Sequence, residues 1–522
     1  LTRSVFSSKT AAGGYLLWAV LCLAVGSANA ANDQKNNAFG FEQVEQMAAR
    51  LAEQAYAEPP KIPEFMRHMN YDKWRDIRFK TERSLWRGEN VFFEVQFFHP
   101  GFLYLSPVKI NVVDQHGARP LAYSPGLFNF GMNTFPEKVP DDLGFAGFRV
   151  HHPINTDDYY DEVIAFMGAS YFRAVAKDQR YGLSARGLAL DVAEQKGEEF
   201  PVFKEFWIVK PGPDDRKINI YAMLDSPSLC GAYAFVIEPG VQTLVHVKST
   251  LYRRKGVQKL GMAPLTSMFL HGENNNVRHD DFRPEVHDSD GLLIGSDAGE
   301  WMWRPLRNPK ILSVSDFPVD RLNGFGLLQR DSAFESYQDL EAFYQLRPSV
   351  WISPVGNWGP GKVQLIELPT DTEINDNIIA FWVPREVSEP SLPMSFAYRM
   401  NWYFPDKDRH EKGWVMATRS TATKDENRRR FLIDFKGGQL ARLDDPMVLE
   451  PVVSASKGAQ IVDQQLMKNK YTDSWRLVFS VVPGQKELLG AVMNDGKTIN
   501  LKAFLRQEGN AVTETWSYHF EP

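Results

Sequence analysis

The chain is poor in several features that would each have named a function. It has two cysteines in 522 residues, Cys22 and Cys230. Cys22 lies in an apolar N-terminal stretch expected to be removed, which leaves Cys230 without an internal partner and excludes a disulfide framework. Positive charge is not in excess either. The formal net charge is −6, and Arg428-Arg-Arg430 is the one arginine triplet, so no stripe exists to neutralise phosphates and nucleic acid is excluded as a partner. The P-loop pattern fails because Ala491 stands where the first glycine before Gly496-Lys-Thr498 is required. Gly182-Leu-Ser-Ala-Arg186 lacks the closing glycine of a nucleophile elbow. Metal chemistry finds no standard pattern. His271, His279 and His287 are eight apart with no cysteine beside them, and Val286 occupies the first ligand position that a calcium loop through Asp288 and Asp290 needs. No metal and no cofactor are expected.

Apart from one stretch, the chain also lacks long apolar runs. Arg3 and Lys9 precede an apolar segment from Tyr15 to Val25 and the small-residue site Ala28-Asn-Ala30, the pattern of a cleaved export signal over residues 1–30. Leu21 is too bulky for the position before a lipidated Cys22, and a single arginine does not make a twin-arginine signal. The expected route is Sec export, with the mature chain starting near Ala31.

What remains is a large, aromatic-rich globular chain, 43% apolar, 24% charged and 13% aromatic, too long for one core. Phe41, Val44, Met47, Ala48 and Leu51 recur at three and four, predicting one amphipathic helix before Pro59-Pro60. Beyond it, helical periods give way to short β-rich runs bounded by Gly, Pro, Asn or Asp, such as Val108–Val113, Phe203–Val209 and Leu244–Thr250. Strands without interleaved helices predict an all-β protein of antiparallel sandwiches. The proline-rich stretch Pro384–Pro393 reads as a linker over 386–395. The alternation of Met394, Phe396, Tyr398, Met400, Trp402 and Phe404 reads as a strand opening a new sheet. The expected division is 31–385, linker, and 396–522.

Chemistry concentrates in two acidic segments set among aromatics. Arg283-Pro-Glu-Val-His-Asp-Ser-Asp-Gly291 is followed by Trp301 and Trp303, and Asp371-Thr-Glu-Ile-Asn-Asp-Asn377 is followed by Phe381 and Trp382. Carboxyls that accept from hydroxyls beside indole faces suit a sugar, and two separated carboxyls suit acid/base glycoside cleavage. Glu285, His287, Asp288, Asp290, Trp301, Trp303, Trp358 (in the turn Gly356-Asn-Trp-Gly359) and Asp376 are the candidate residues. The competing reading makes each aspartate a turn-former and each tryptophan a core residue.

Longer segments carry a resemblance. Asp142–Phe148, Gly168–Arg173, Tyr181–Leu188, Gly197–Pro201, Leu224–Pro227, Ala263–Phe269, the 283–305 stretch, Gly324–Arg330, Leu346–Ser349 and Asn375–Asn377 are similar to the periplasmic glucan biosynthesis proteins of the OpgG/OpgD (MdoG) family. The resemblance implies a large galactose-mutarotase-like β-sandwich followed by a small immunoglobulin-like one, acting on linear β-1,2-glucan. The family includes inverting endo-β-1,2-glucanases. By that likeness Asp376 matches the general acid, Asp288 the base reached through a relay that includes a substrate hydroxyl, and Tyr344 a cleft tyrosine close to Arg347. The implied alternatives are a glucan-binding or assembly factor working with an inner-membrane glucan glucosyltransferase, and a transglycosylase on the same glucan. A homodimer is a further candidate assembly.

Overall fold

Strand formation follows the side-chain alternation, and it buries aromatics from two facing sheets in one core. The computed structural model describes residues 39–275, 280–386, 392–405, 410–423, 428–443, 448–456, 458–484 and 498–522. In the larger sandwich, a ten-stranded sheet runs in the order Glu94–Phe98, Gly147–Thr156, Tyr159–Met167, Tyr171–Ala174, Ser184–Arg186, Leu260–Ser267, Ile378–Pro384, Gly361–Glu367, Ser313–Val319, with Leu188–Leu190 paired off that path. Its Phe148, Phe166 and Phe172 stack successively at 5.1 and 5.4 Å. They meet Phe206 and Phe235 of the opposite sheet edge-to-face at about 5 Å. All five rings are buried, each stabilising the fold by roughly 2–3 kcal/mol through transfer from water.

The predicted helix spans Phe41–Ala52 and ends well before the prolines. It lays Val44 and Ala48 on Val113, Trp207, Met223 and Ala232, covering the outer face of the longer sheet. No helix of the described residues is long and apolar enough to cross a membrane.

The second sheet is fifteen-stranded and runs from one sandwich into the other. Continuity comes from Trp301–Pro305, which pairs in parallel with Thr515–Phe520 through Met302↔Thr515 and Trp303↔Trp516. Beyond that seam, Glu450–Ala455, Ile499–Gln507 and Thr515–Phe520 face a four-stranded sheet of Trp414–Ala422, Arg429–Lys436, Ser474–Pro483 and Ala459–Asn469. Phe431, Ile433, Trp475, Phe479 and Trp516 fill the space between them.

One sequence expectation needs correction here. Met394–Tyr403 is a strand, as its alternation predicts, but it opens no new sheet. It lies inside the large sheet, paired with Thr243–Arg253 on one side and Ser349–Val355 on the other. Its apolar side, Phe396, Tyr398, Met400 and Trp402, belongs to the main core. Alternation specifies a half-buried strand and says nothing of its neighbours. The smaller sandwich begins with Trp414–Ala422, so the expected division at 386–395 falls one strand too early, and residues 387–391 of that linker lie outside the described residues.

Candidate active site

Asp288 and Asp376 are hung from the same short piece of backbone. The strand Val286–His287 pairs with Phe269–His271, and the Asp288 N–H donates to the Met268 carbonyl at 2.8 Å. Asp376 ends the loop before Ile378–Pro384, and the buried Asn377 next to it clamps that loop to Phe269. The Asn377 side chain accepts from the Phe269 N–H at 2.8 Å and donates to the Phe269 and Leu368 carbonyls, each at 3.0 Å. One amide thus imitates a strand partner, at roughly 1 kcal/mol per hydrogen bond. It links the two acidic segments through Phe269.

The two carboxyls differ in surroundings. Asp376 is exposed to water at the mouth of the site, with protein dense around its base. Burial, followed by the neighbouring Asp288 charge, pushes its carboxyl up to about 6, with Arg173, Arg186 and Arg347 opposing. Asp288 is buried, and burial raises its pKa, while Arg347 and then His287 and Arg173 oppose the rise. Arg347 Nη1 donates to Asp288 Oδ1. Its guanidinium lies 4.1 Å from the centre of the Tyr344 ring, and a Cβ at residue 182 would come within 2.9 Å of the Arg347 Cβ, so Gly182 leaves the room its stem occupies.

Tyr344 is itself buried beneath Arg347, and its hydroxyl donates to Glu373 Oε2 at 2.9 Å. Arg283 Nη1 reaches that oxygen at 2.7 Å and Asp339 at 2.9 Å, and pairs with Asp281 as well. The loops bearing Asp288, Tyr344 and Asp376 are therefore joined at one guanidinium.

Glu285, His287 and Asp290 go elsewhere. In an extended chain successive side chains alternate, so Glu285 and His287 leave from the side opposite Asp288. A bend at Asp288 then brings Asp290 Oδ1 to 3.6 Å from His287 Nε2. Glu285 and Asp290 line a cavity of about 550 Å³ between the two sandwiches, together with Arg330, Tyr403, His410 and Trp414. The three ligand-type atoms lie within 4.8 Å of one another, the one such group among the described residues. His287 Nε2 is 2.7 Å from Glu285 Oε2, and Nδ1 is 3.0 Å from Gln329 Oε1. The Gln329 amide nitrogen donates to the His287 and Tyr344 carbonyls, so its oxygen faces the ring and both imidazole nitrogens are donors. Burial opposes that charge, but Glu285 and Asp290 outweigh it and lift His287 to about 9. This is an ion-paired imidazolium in the wall behind Asp288, and not the groove-facing substrate contact expected. His279 lies outside the described residues.

The comparisons with known proteins agree with this chain over nearly its whole length. The family model for the periplasmic glucan biosynthesis protein MdoG matches residues 39–520. Glucans biosynthesis protein G of Ralstonia nicotianae is 46% identical over 510 residues, covering 96% of this chain and 99% of that protein. The chain belongs to the periplasmic glucan biosynthesis (MdoG) family.

In this MdoG-family chain the tryptophans expected to face sugar are packing residues. Trp303 is buried in the second core with the Arg330 guanidinium 3.6 Å from its ring centre. Trp301 stacks on His410 at 4.6 Å and leans on Trp351 at 5.7 Å. Trp358 donates its indole N–H to the Ala397 carbonyl at 3.0 Å and packs on Phe396 and Tyr398. The physical reason is on the paired strand. Gly291 and Gly295 face Pro305 and Trp301, and a Cβ there would strike the Trp303 and Trp301 rings at 2.4 and 3.0 Å. The indoles fill what those glycines leave open. Sequence reasoning missed Tyr171, Arg173 and Arg186, whose charges and phenol reach the two carboxyls from strands about one to two hundred residues earlier. Two of the segments that carry the family resemblance, Gly168–Arg173 and Tyr181–Leu188, contain them and were their only signal.

Proposed function

We propose that this MdoG-family protein binds linear β-1,2-glucan at the site of Asp288 and Asp376 and cleaves it with inversion at the anomeric carbon. The observation that carries this reading is the unequal pair of carboxyls at one site, with Asp376 held near 6 and Asp288 facing the Arg347 guanidinium. A general acid must keep its proton until the leaving oxygen needs it, and burial beside a second carboxyl does that. A base must be ionised, and a buried carboxylate is ionised most readily against a fixed cation.

In the reaction the glycosidic C–O bond breaks as the Asp376 proton passes to the leaving oxygen. A water oxygen bonds to the anomeric carbon from the opposite face, and the water's proton passes to Asp288 through a hydroxyl of the substrate. Asp376 ends one proton poorer and Asp288 one proton richer, and exchange with solvent resets the pair. The chemistry calls for no cofactor. A relay through the substrate relaxes the ordinary requirement that inverting carboxyls stand about 6.5–9.5 Å apart.

The test is incubation of the protein and of Asp376→Asn with linear β-1,2-glucan, reading reducing ends and product masses. New reducing ends that vanish in the variant support hydrolysis. Altered masses without new ends mean that a sugar hydroxyl replaces water and the protein is a transglycosylase. Glucan left unchanged but bound by both proteins means a binding factor for assembly with the membrane glucosyltransferase.

A further inference from the structure

The wall behind Asp288 holds a cluster that acid/base cleavage does not use. Around His287 Nε2 stand Glu285 Oε2 at 2.7 Å and Asp290 Oδ1 at 3.6 Å. One ligand atom from each of the three residues lies within 4.8 Å of the other two. These residues and Glu273 line a recess of about 40 Å³, room enough for an ion or a water. The recess adjoins the cavity of about 550 Å³ between the sandwiches and shares Glu273, Glu285, Asp290 and Arg330 with it.

Tautomer, charge and spacing all suit a cation at this point. Gln329 turns its amide oxygen to His287 Nδ1, because its amide nitrogen is held by the His287 and Tyr344 carbonyls. Nδ1 therefore keeps its hydrogen, and Nε2 is the nitrogen that can exchange a proton for a metal. An outer partner fixing the ring in this way is the usual support of a metal-binding histidine. The nearby arginines are committed elsewhere. Arg330 is taken up by Glu514, and Arg419 is shared between Glu273 and Asp434. One imidazolium is left between Glu285 and Asp290, whereas a dication neutralises both carboxylates. A cation bound tetrahedrally at about 2.0–2.2 Å would set its ligand atoms roughly 3.3 Å apart. That value lies between the 2.7 and 3.6 Å found around Nε2.

We propose that Glu285, His287 and Asp290 bind a divalent transition-metal ion of the zinc type, with its open position facing the cavity between the sandwiches. Imidazole combined with carboxylates selects such an ion over calcium or magnesium, which take oxygen ligands. The ion takes the place of the proton on His287 Nε2, which passes to solvent. A bend at Asp288 brings the three ligands together, so their spacing along the chain matches no standard motif. The cavity wall carries a second mark of an occupant. His410 Nε2 is bound to Glu514, but the buried Nδ1 of the same ring, only 9% exposed as a side chain, has no hydrogen-bond partner among the described residues. Its partner must come from the cavity, where a water or anion completes the shell of the ion. The site does not depend on the glucan reading.

The test is calorimetric titration of the whole chain with zinc chloride after dialysis against a chelator, beside Glu285→Gln and Asp290→Asn. The expected result is one equivalent bound per chain, weakened at least about tenfold by either substitution, since even the outer partners of a metal site are worth about 10–100-fold. Asp290→Asn keeps an oxygen for the N–H groups of Arg330 and Asp331, so the turn that it holds survives. Cobalt(II) in place of zinc should give visible absorption bands that Glu285→Gln loses, a signature that an ion pair alone cannot produce. Zinc and cobalt bound equally by all three proteins would place the metal on exposed histidines such as His68 and overturn the site. Absence of binding by the unsubstituted chain overturns it as well.

Discussion

Replacing Asp376 by asparagine should stabilise the protein at alkaline pH while abolishing any cleavage. The carboxyl is raised from 3.8 to about 6, mainly by burial and next by the charge of Asp288. Because the folded-state value lies above the unfolded one, the folded state binds the proton more tightly, and stability falls as pH rises from about 4 to about 6. About two units at ~1.36 kcal/mol each set an upper bound of about 3 kcal/mol. Water reaches the open side of Asp376, and screening there reduces the expected effect to about 1 kcal/mol. Asparagine keeps the shape and removes the charge. At pH 8 the variant should melt about 1 °C higher, and at about pH 3, where the aspartate is largely neutral both folded and unfolded, the two proteins should nearly coincide. Differential scanning calorimetry at the two pH values reads this without substrate. A variant no more stable at pH 8, or a difference that ignores pH, would refute the claim that the groove holds this carboxyl protonated against its ordinary tendency.

Three further outcomes follow from the same geometry. Arg347→Met removes the cation that opposes burial at Asp288. It should lower kcat on glucan on the order of a hundredfold with the acid limb of the pH–rate profile moved upward, as measured by reducing-end release across pH. Glu514, buried between the sandwiches, is held at about 2, because Arg330 and His410 outweigh its burial. Its stabilising effect is therefore complete above about 4.5 and lost as pH falls towards 2. Glu514→Gln should cost about 3 kcal/mol at pH 7 and about half of that or less at pH 3 in urea unfolding. Trp301→Phe should cost about 1–2 kcal/mol through its lost contact with His410 and Trp351, and calorimetric titration should show unchanged glucan affinity.

Much of this molecule is legible in sequence because strands announce themselves locally. Alternation found Met394–Tyr403 almost to the residue, yet the partners of that strand, Thr243–Arg253 and Ser349–Val355, are chosen by packing across the whole sheet. The site divides along the same line. Asp376 stood out as a carboxyl among turn-formers, Asp288 was picked from its acidic segment by the family resemblance, and the clamp between them, Asn377 on Phe269, lay within view in Asn375-Asp-Asn377. Which face each side chain takes was not visible. His287 looked like a groove residue beside Asp288, but alternation along the extended chain turns it to the opposite wall, where Glu285 and Gln329 hold it. Trp301 and Trp303 were read by residue type, whereas their packing is decided by glycines on a neighbouring strand. Arg173 and Arg186 carry no spacing signal at all, since the sheet alone brings them to Asp376.

The most direct test of the central claim is proton NMR of the first reducing ends released from linear β-1,2-glucan. The pair of Asp376 and Asp288 predicts that the α-anomer appears first and mutarotates to β, and that Asp376→Asn releases none. The β-anomer appearing first, or an equal rate in the variant, would contradict it.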